Sequence, residues 1–368
     1  MINEARVRET FLDLVRFNSP PGQEGEVARY CAEALRDAGF LCQKDAAGNL
    51  IAQKAGTVSG APRIFFSAHM DTVQPTEGLE VREEDGIFRT GGTTILGADD
   101  KAGLTQILEG VRVLEEHGIP HGDLQVVFTT GEEVGLLGAR ALAIEVVAGS
   151  IGFVFDASGP TGTVITGAPT HDKLEVRLQG RASHAGFVPE KGISAIRMAA
   201  RALDRMRLGR IDPETTANIG TISGGTADNI VAEEAILTLE ARSRNREKLD
   251  AQVAHMRECL EEAAAHYGGS VEIRHEREYQ GYTWERGDLP LSLAAAAWRN
   301  VPASRGEEPT FRPTGGGSDA NVFNARGVPA VVCTCGYADA HSVKEHIPVA
   351  DLLAGAEWVV RIAEAAAV

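Results

Sequence analysis

Three apolar, β-forming runs in the first half of the chain each end in side chains able to carry protons or ligate metal. Residues 63–67 (RIFFS) lead into Ala68-His69-Met70-Asp71, residues 123–130 (DLQVVFTT) into Gly131-Glu132-Glu133, and residues 150–155 (SIGFVF) end at Asp156. Between the first two lies a helical pattern with Leu104, Ile107, Leu108 and Val111 on one side. Apolar strands alternating with helices specify an α/β sheet buried on both faces, and open sheets of this kind carry their sites at the carboxyl ends of the strands. A single acid or imidazole at a strand end is more often structural than not. Three on one edge form a pattern that chance capping does not favour. His69 and Asp71 stand two apart on an extended chain and so point the same way, which lets the carboxylate orient or polarise the imidazole.

A fourth landmark is residues 91–103 (GGTTILGADDKAG), where small residues lead to Asp99-Asp100 at the start of that helix, a favourable place for negative charge. Alone, this pair reads as two capping aspartates. Upstream, a helix over residues 1–17 buries Val7, Phe11, Leu14 and Val15 and stops at Pro20-Pro21. A second helix over residues 24–38 ends at Gly39. Strands over residues 40–44 and 49–54 follow, and Asp85-Gly86 marks a hairpin turn.

From His171 to about Gly281 the pattern changes. Strands over residues 173–179, 215–222, 235–243 and 271–279 alternate apolar and polar residues, and helices over residues 193–208 and 247–267 separate them. This β-α-β-β-α-β order is ferredoxin-like, an antiparallel sheet with one face covered by helices. The α/β pattern then resumes with a helix over residues 289–299, a glycine loop over residues 315–319, a strand over residues 329–333 and a last helix from Val349. A chain of 368 residues exceeds one ordinary domain. The organisation expected is a catalytic α/β domain with a mixed central sheet, formed by residues 1–170 and 283–368, and an inserted α+β domain over residues 171–282.

A net charge of −16 and the lack of any basic stripe argue against nucleic acid as a partner. No stretch reaches the roughly 18 apolar residues of a membrane helix, and the amphipathic first helix lacks the continuous apolar core of a signal peptide, so a cytoplasmic protein is expected. Cys31, Cys42, Cys259, Cys333 and Cys335 form no repeated pairs and read as buried thiols. Met198 and Met206 read as core, Asp319 as fixing its loop, and His117, His121, His255, His266 and His275 as solvated.

Near the C-terminus, His341 stands in Ala340-His341-Ser342. Two histidines and three carboxylates suffice for two zinc ions, each with nitrogen and oxygen ligands and one carboxylate bridging. Such a centre brings the pKa of a bound water toward neutrality and so makes a nucleophile available. Glu132, beside a liganding Glu133, could take that water's proton and deliver it to a leaving amine.

Taken in order, SAHMDTV, LGADDKAG, TTGEEVGLLGA, FDASG, RASHAG, TADNIV, EARSR, GGGSDA and AHS resemble the aminoacylase, acetylornithine deacetylase and peptidase T family of di-zinc metallohydrolases across nearly the whole chain. LGADDKAG and HAGFVPEKGISAI look most like peptidase T and its shorter relatives. The resemblance implies that His69 and Asp156 hold one zinc, Glu133 and His341 the other, and Asp99 bridges them, with Co2+ or Mn2+ able to substitute. It also implies that Asp71 orients His69, that Glu132 is the general base and acid, and that a cis peptide follows Asp99. In the insert it assigns His184 to the substrate or the oxyanion, supplied in several relatives by the partner subunit. Asn229 and Arg242 would grip substrate carbonyl and carboxylate groups, and Gly316 and Gly317 would let substrate approach the backbone. The insert would act as a lid and as the contact of a homodimer.

An aspartate at position 156 is typical of the family's aminopeptidase-type members, which implies release of the N-terminal residue from short peptides, tripeptides included. The chain is shorter than a full peptidase T, and Ala-His-Ser replaces a His-Gly-Lys type of context around the last ligand. An N-acyl-amino-acid deacylase or a dipeptidase is therefore the enzymatic alternative. The non-enzymatic alternative is a peptide-binding scaffold, against which the retention of Glu132 and of every ligand speaks.

Overall fold

A computed structural model describes all residues, Met1–Val368. The chain divides into two compact units, one of residues 1–166, 284–313 and 318–368, the other of residues 167–283 with 314–317. Residues 314–317, assigned by the sequence reading to the catalytic part, cluster with the second unit.

The first unit runs α1 (Glu4–Arg16), α2 (Gly25–Asp37), β1 (Leu41–Lys44), β2 (Leu50–Lys54), β3 (Ile64–His69), β4 (Val81–Glu84), β5 (Ile87–Thr90), α3 (Ala98–His117), β6 (Leu124–Thr129), α4 (Leu137–Ala141), β7 (Ile151–Phe155) and β8 (Thr163–Ile165). In the second unit follow β9 (Gly167–Ala168), β10 (Thr170–Gln179), α5 (Ala195–Arg205), β11 (Gly209–Asp212), β12 (Thr215–Gly224), β13 (Glu234–Ser243), α6 (Arg246–Tyr267), β14 (Ser270–Tyr279) and β15 (Tyr282–Thr283). The chain then returns to the first unit with α7 (Leu289–Trp298), β16 (Thr310–Arg312), α8 (Asp319–Ala325), β17 (Ala330–Cys333), β18 (His346–Pro348) and α9 (Val349–Ala366).

Eight strands form the central sheet in the order β1-β2-β6-β3-β7-β17-β8-β16. Its middle, β6-β3-β7-β17, is parallel, while β2 and β8 join it antiparallel, so the sheet is mixed. Alternation along β3 sends neighbouring rings to opposite faces. Phe65 meets Phe323 of α8 edge-on, whereas Phe66 packs with Phe153 and Phe155, and Phe155 meets Trp358 of α9. Each such ring removed from water contributes about 1.5–3 kcal/mol. Helix α3 is buried on nearly every side, which is why its sequence is apolar well beyond one stripe. The parallel register brings the carboxyl ends of β3, β6 and β7 to one edge.

In the second unit the order is β11-β12-β13-β10-β14, all antiparallel. This is the ferredoxin-like arrangement with one added edge strand, β11, whose four residues carry too little pattern to be read from sequence. Leu174, Val176, Leu178, Leu237 and Leu239 are buried against Met198 and Ala202 of α5 and Leu249, Met256 and Leu260 of α6.

One expectation fails outright. His121 is buried, not solvated, with Nδ1 on the Gly122 carbonyl and its own main chain bonded to Thr57. His255 and His275 also have partners, the Arg207 amide and Asp172. All five cysteines are free, and Cys42 alone is not buried.

Candidate metal centre

The three strand ends converge. His69, the last residue of β3 and 2 % exposed, places Nε2 3.1 Å from Asp99 Oδ1 and 3.8 Å from Asp156 Oδ1. His341 Nε2 lies 2.9 Å from Glu133 Oε1 and 3.4 Å from Asp99 Oδ2. Two groups result, His69–Asp99–Asp156 and Asp99–Glu133–His341, each with its ligand atoms within 4.8 Å of one another and both containing Asp99. All the donors are nitrogen or carboxylate oxygen, a set suited to zinc or a similar divalent ion.

Asp100 is turned to a different task. Its Oδ2 accepts from the His69 amide and its Oδ1 from the Gly103 amide, so it fixes the end of β3 against the start of α3. The Asp99–Asp100 peptide is cis. A Cβ at Gly103 would lie 2.2 Å from the Phe155 carbonyl oxygen and 2.6 Å from Asp100 Oδ1. Gly103→Ala should therefore destabilise the protein by about 1–3 kcal/mol, the usual penalty for overpacking. An unchanged midpoint in denaturant unfolding would contradict this.

Asp71 lies against the His69 ring and also reaches the glutamate turn. Its main-chain carbonyl, 2.8 Å from His69 Nδ1, lies nearer the ring than its carboxylate, at 3.6 Å. An Nδ1–H donated to that carbonyl leaves Nε2 as the ligating nitrogen. The carboxylate accepts instead from the amides of Glu132 (3.0 Å) and Glu133 (3.1 Å). With Val134, those two residues form a single 3-10 turn bounded by Gly131 (φ 59°) and Gly135 (φ 108°), backbone conformations that favour glycine. Asp71 thus fixes the turn by its main chain and leaves both glutamate side chains free to act.

The electrostatics describe a site short of positive charge. Burial opposes protonation of His69, but Asp71 and Asp99 outweigh it and hold the ring well above its usual pKa. Asp99, then Glu133, raise His341 to about 10. Burial, reinforced by Asp156, pushes Glu132 well above the carboxylate range, and burial with neighbouring aspartates does the same to Asp156. A divalent cation reverses this balance, favouring ionised carboxylates and neutral imidazoles. Asp319, read from the sequence as fixing its loop, is buried beside the site. It accepts from Thr129 Oγ1, while its other oxygen has no partner and burial raises its pKa to about 6.

Sequence reasoning missed three supporting residues. Lys101 is buried, with Nζ donating to Ser19 Oγ and to the Met70 carbonyl between His69 and Asp71, and burial lowers its pKa to about 8. Tyr337 donates to Asp156 Oδ1 at 3.3 Å. Glu345 accepts from the Gly97 and Asp99 amides. The ADDKAG and AHSVKE motifs contain the first and last of these, but nothing in the spacing says what they touch.

In the second unit, His184 is exposed, its ring 4.3 Å from that of Phe187, and it bridges to Ile230. The Asn229 carbonyl accepts from the Ala185 amide, which brings Asn229 beside the His184 loop. Arg242, on β13, pairs with Glu240 at 2.9 Å. Gly316 is open on its Cβ side, but at Gly317 a Cβ would fall 2.3 Å from the Tyr279 ring, so packing within the unit already demands glycine there.

The profile of peptidase family M20/M25/M40 matches residues 65–365. The uncharacterized protein YqjE of Bacillus subtilis (strain 168) is 43% identical over 375 residues, spanning 100% of both chains. Among solved structures, the aminopeptidase PepT from Bacillus cereus ATCC 10987 is 41% identical, with a TM-score of 0.89 and 100% of both chains covered. A tripeptidase from Staphylococcus aureus subsp. aureus Mu50 is 38% identical, with a TM-score of 0.93, covering 100% of this chain and 99% of that one.

Proposed function

The chain belongs to peptidase family M20/M25/M40 and is a metallopeptidase, and from that premise we propose that it releases the N-terminal residue of short peptides, tripeptides among them, at a centre for two zinc ions. The observation that carries this reading is the sharing of Asp99 by two three-residue groups, with Glu132 alongside but in neither. Relatives at 41% and 38% identity bear the names aminopeptidase and tripeptidase, which supports a free-amine peptide as substrate.

His69, Asp99 and Asp156 would hold one ion, and Asp99, Glu133 and His341 the other. When bound, the ions supply Lewis-acid polarisation of the scissile carbonyl and acidify a water toward neutrality. The Glu132 carboxylate takes a proton from the attacking water and returns it to the leaving nitrogen. Asp71, holding the Glu132–Glu133 turn through two amides, keeps that carboxylate in place.

For the substrate we retain His184, Asn229, Arg242, Gly316 and Gly317 as proposed contacts. The guanidinium of Arg242 suits a peptide's terminal carboxylate, and the proximity of Asn229 to the His184 loop supports a joint role for that pair. Exposed Phe187, Ile222, Ile230 and Ile236 support a homodimer formed through the second unit.

A matched substrate panel tests the reading. Zinc-loaded protein should cleave free tripeptides, and with them other short free-amine peptides, and a chelator should stop it. N-acetylated versions of the same peptides and N-acyl amino acids should resist. Cleavage of acylated substrates alone would make the protein a deacylase and overturn the aminopeptidase reading.

A further inference from the structure

Among the buried ionisable groups with no part in the mechanism, Glu345 is distinguished by where its two oxygens go. It is 1 % exposed, and it accepts from the Gly97 amide at 2.6 Å through Oε2 and from the Asp99 amide at 2.9 Å through Oε1. These N–H groups stand at the beginning of α3, where helix donors lack intrahelical partners and negative charge is favoured. The anion filling that place comes from a segment 246 residues away in sequence.

That segment is the one that carries His341. The His341 side chain is 52 % exposed and its backbone adopts a left-handed φ of 61°, as does Asp339 at 54°. Within the turn, the Ser342 hydroxyl donates to the Asp339 carbonyl and the Glu345 amide donates to the Ser342 carbonyl. These bonds shape the turn but do not locate it against Asp99. The Glu345 carboxylate does, because it grips the main chain of Asp99 itself.

We propose that Glu345 is a positioning residue that sets His341 and Asp99 in register, so that the group Asp99–Glu133–His341 depends on a side chain that touches no ion. The inference rests on the two-ion reading of the site. Glutamine keeps the size of Glu345 but offers one acceptor oxygen in place of two, and its NH2 would confront an amide donor. Aspartate keeps the charge and both acceptors but is one methylene shorter. A group that served only to cap α3 would lower stability on replacement and leave the two ions equally well bound.

The test is zinc titration of chelator-stripped protein, with the Co2+ absorption spectrum reporting ligand geometry and steady-state kinetics alongside. Wild type should bind two ions. Glu345→Gln should keep one at wild-type affinity and bind the other about 10–100-fold more weakly, the usual effect of removing a group that orients a ligand. Its Co2+ spectrum should change for the second ion only, with kcat reduced and KM nearly unchanged. Glu345→Asp should recover part of the lost affinity, and it carries the test if the glutamine variant does not fold. Two ions bound at wild-type affinity with an unchanged Co2+ spectrum would overturn the inference, whatever the melting temperature does. Fewer than two ions in wild type would overturn the two-ion reading and this inference with it.

Discussion

Glu132→Ala should lose about 10²–10⁴-fold in kcat, the range over which a positioned acid–base group contributes, while keeping its metal content. The separation of these two effects follows from how the turn is built. Asp71 holds residues 132 and 133 by their amides, at 3.0 and 3.1 Å, so truncating a side chain leaves the loop's main chain anchored. The carboxylate removed belongs to neither ligand group, whereas that of the next residue, Glu133, lies 2.9 Å from His341. Glu133→Ala should therefore lose an ion as well as activity, and elemental analysis of the purified variants distinguishes the two. If Glu132→Ala turned over peptides at the wild-type rate, the assignment of the proton transfer would be wrong. Lost metal in Glu132→Ala would instead move that residue into the ligand set.

What could be read from the sequence was what depends on local pattern. The apolar runs ending at His69, Thr130 and Phe155 predicted strands of an α/β sheet with their carboxyl ends on one edge; the structure makes them parallel and brings those ends together. The alternation of Leu174, Val176 and Leu178 was similarly sufficient for an antiparallel sheet with one covered face. Longer-range relations were not legible. Glu345 looks like any charged residue of a loop until the fold places it against Asp99, and Lys101 looks like a helix-surface lysine until Ser19 and Met70 enclose its ammonium group. His121 sits in a polar stretch, yet the chain around Thr57 folds over it. The two-residue spacing puts Asp71 beside His69, as expected, but the reach of its carboxylate to the glutamate turn could not be read from that spacing. For partners distant in sequence, such as those of Glu345 and Lys101, no periodicity exists.

Removing metal should destabilise the protein strongly and reversibly, and its rebinding should release protons. In the metal-free site the imidazole of His341 is raised to about 10 and that of His69 well above its usual value, so both rings carry protons at neutral pH. Burial holds Asp156 toward the protonated form as well. A ligating imidazole must be neutral and a ligating carboxylate ionised, so zinc entry expels these protons, and affinity must fall as pH falls. Zinc titration in weak buffer near neutrality should therefore acidify the solution. The same linkage sets the stability change: an ion at a thousand times its dissociation constant stabilises the folded state by about 4 kcal/mol per site. At about 2.1 cal/mol/K of unfolding entropy per residue, each kcal/mol moves the melting temperature of a 368-residue protein by about 1.3 °C. Two sites together predict a fall of about 10 °C on chelation, restored by zinc. A melting temperature indifferent to both chelator and zinc, or a titration that leaves the pH unchanged, would mean that the acidic edge of the sheet is held together by Lys101 and the two protonated histidines alone.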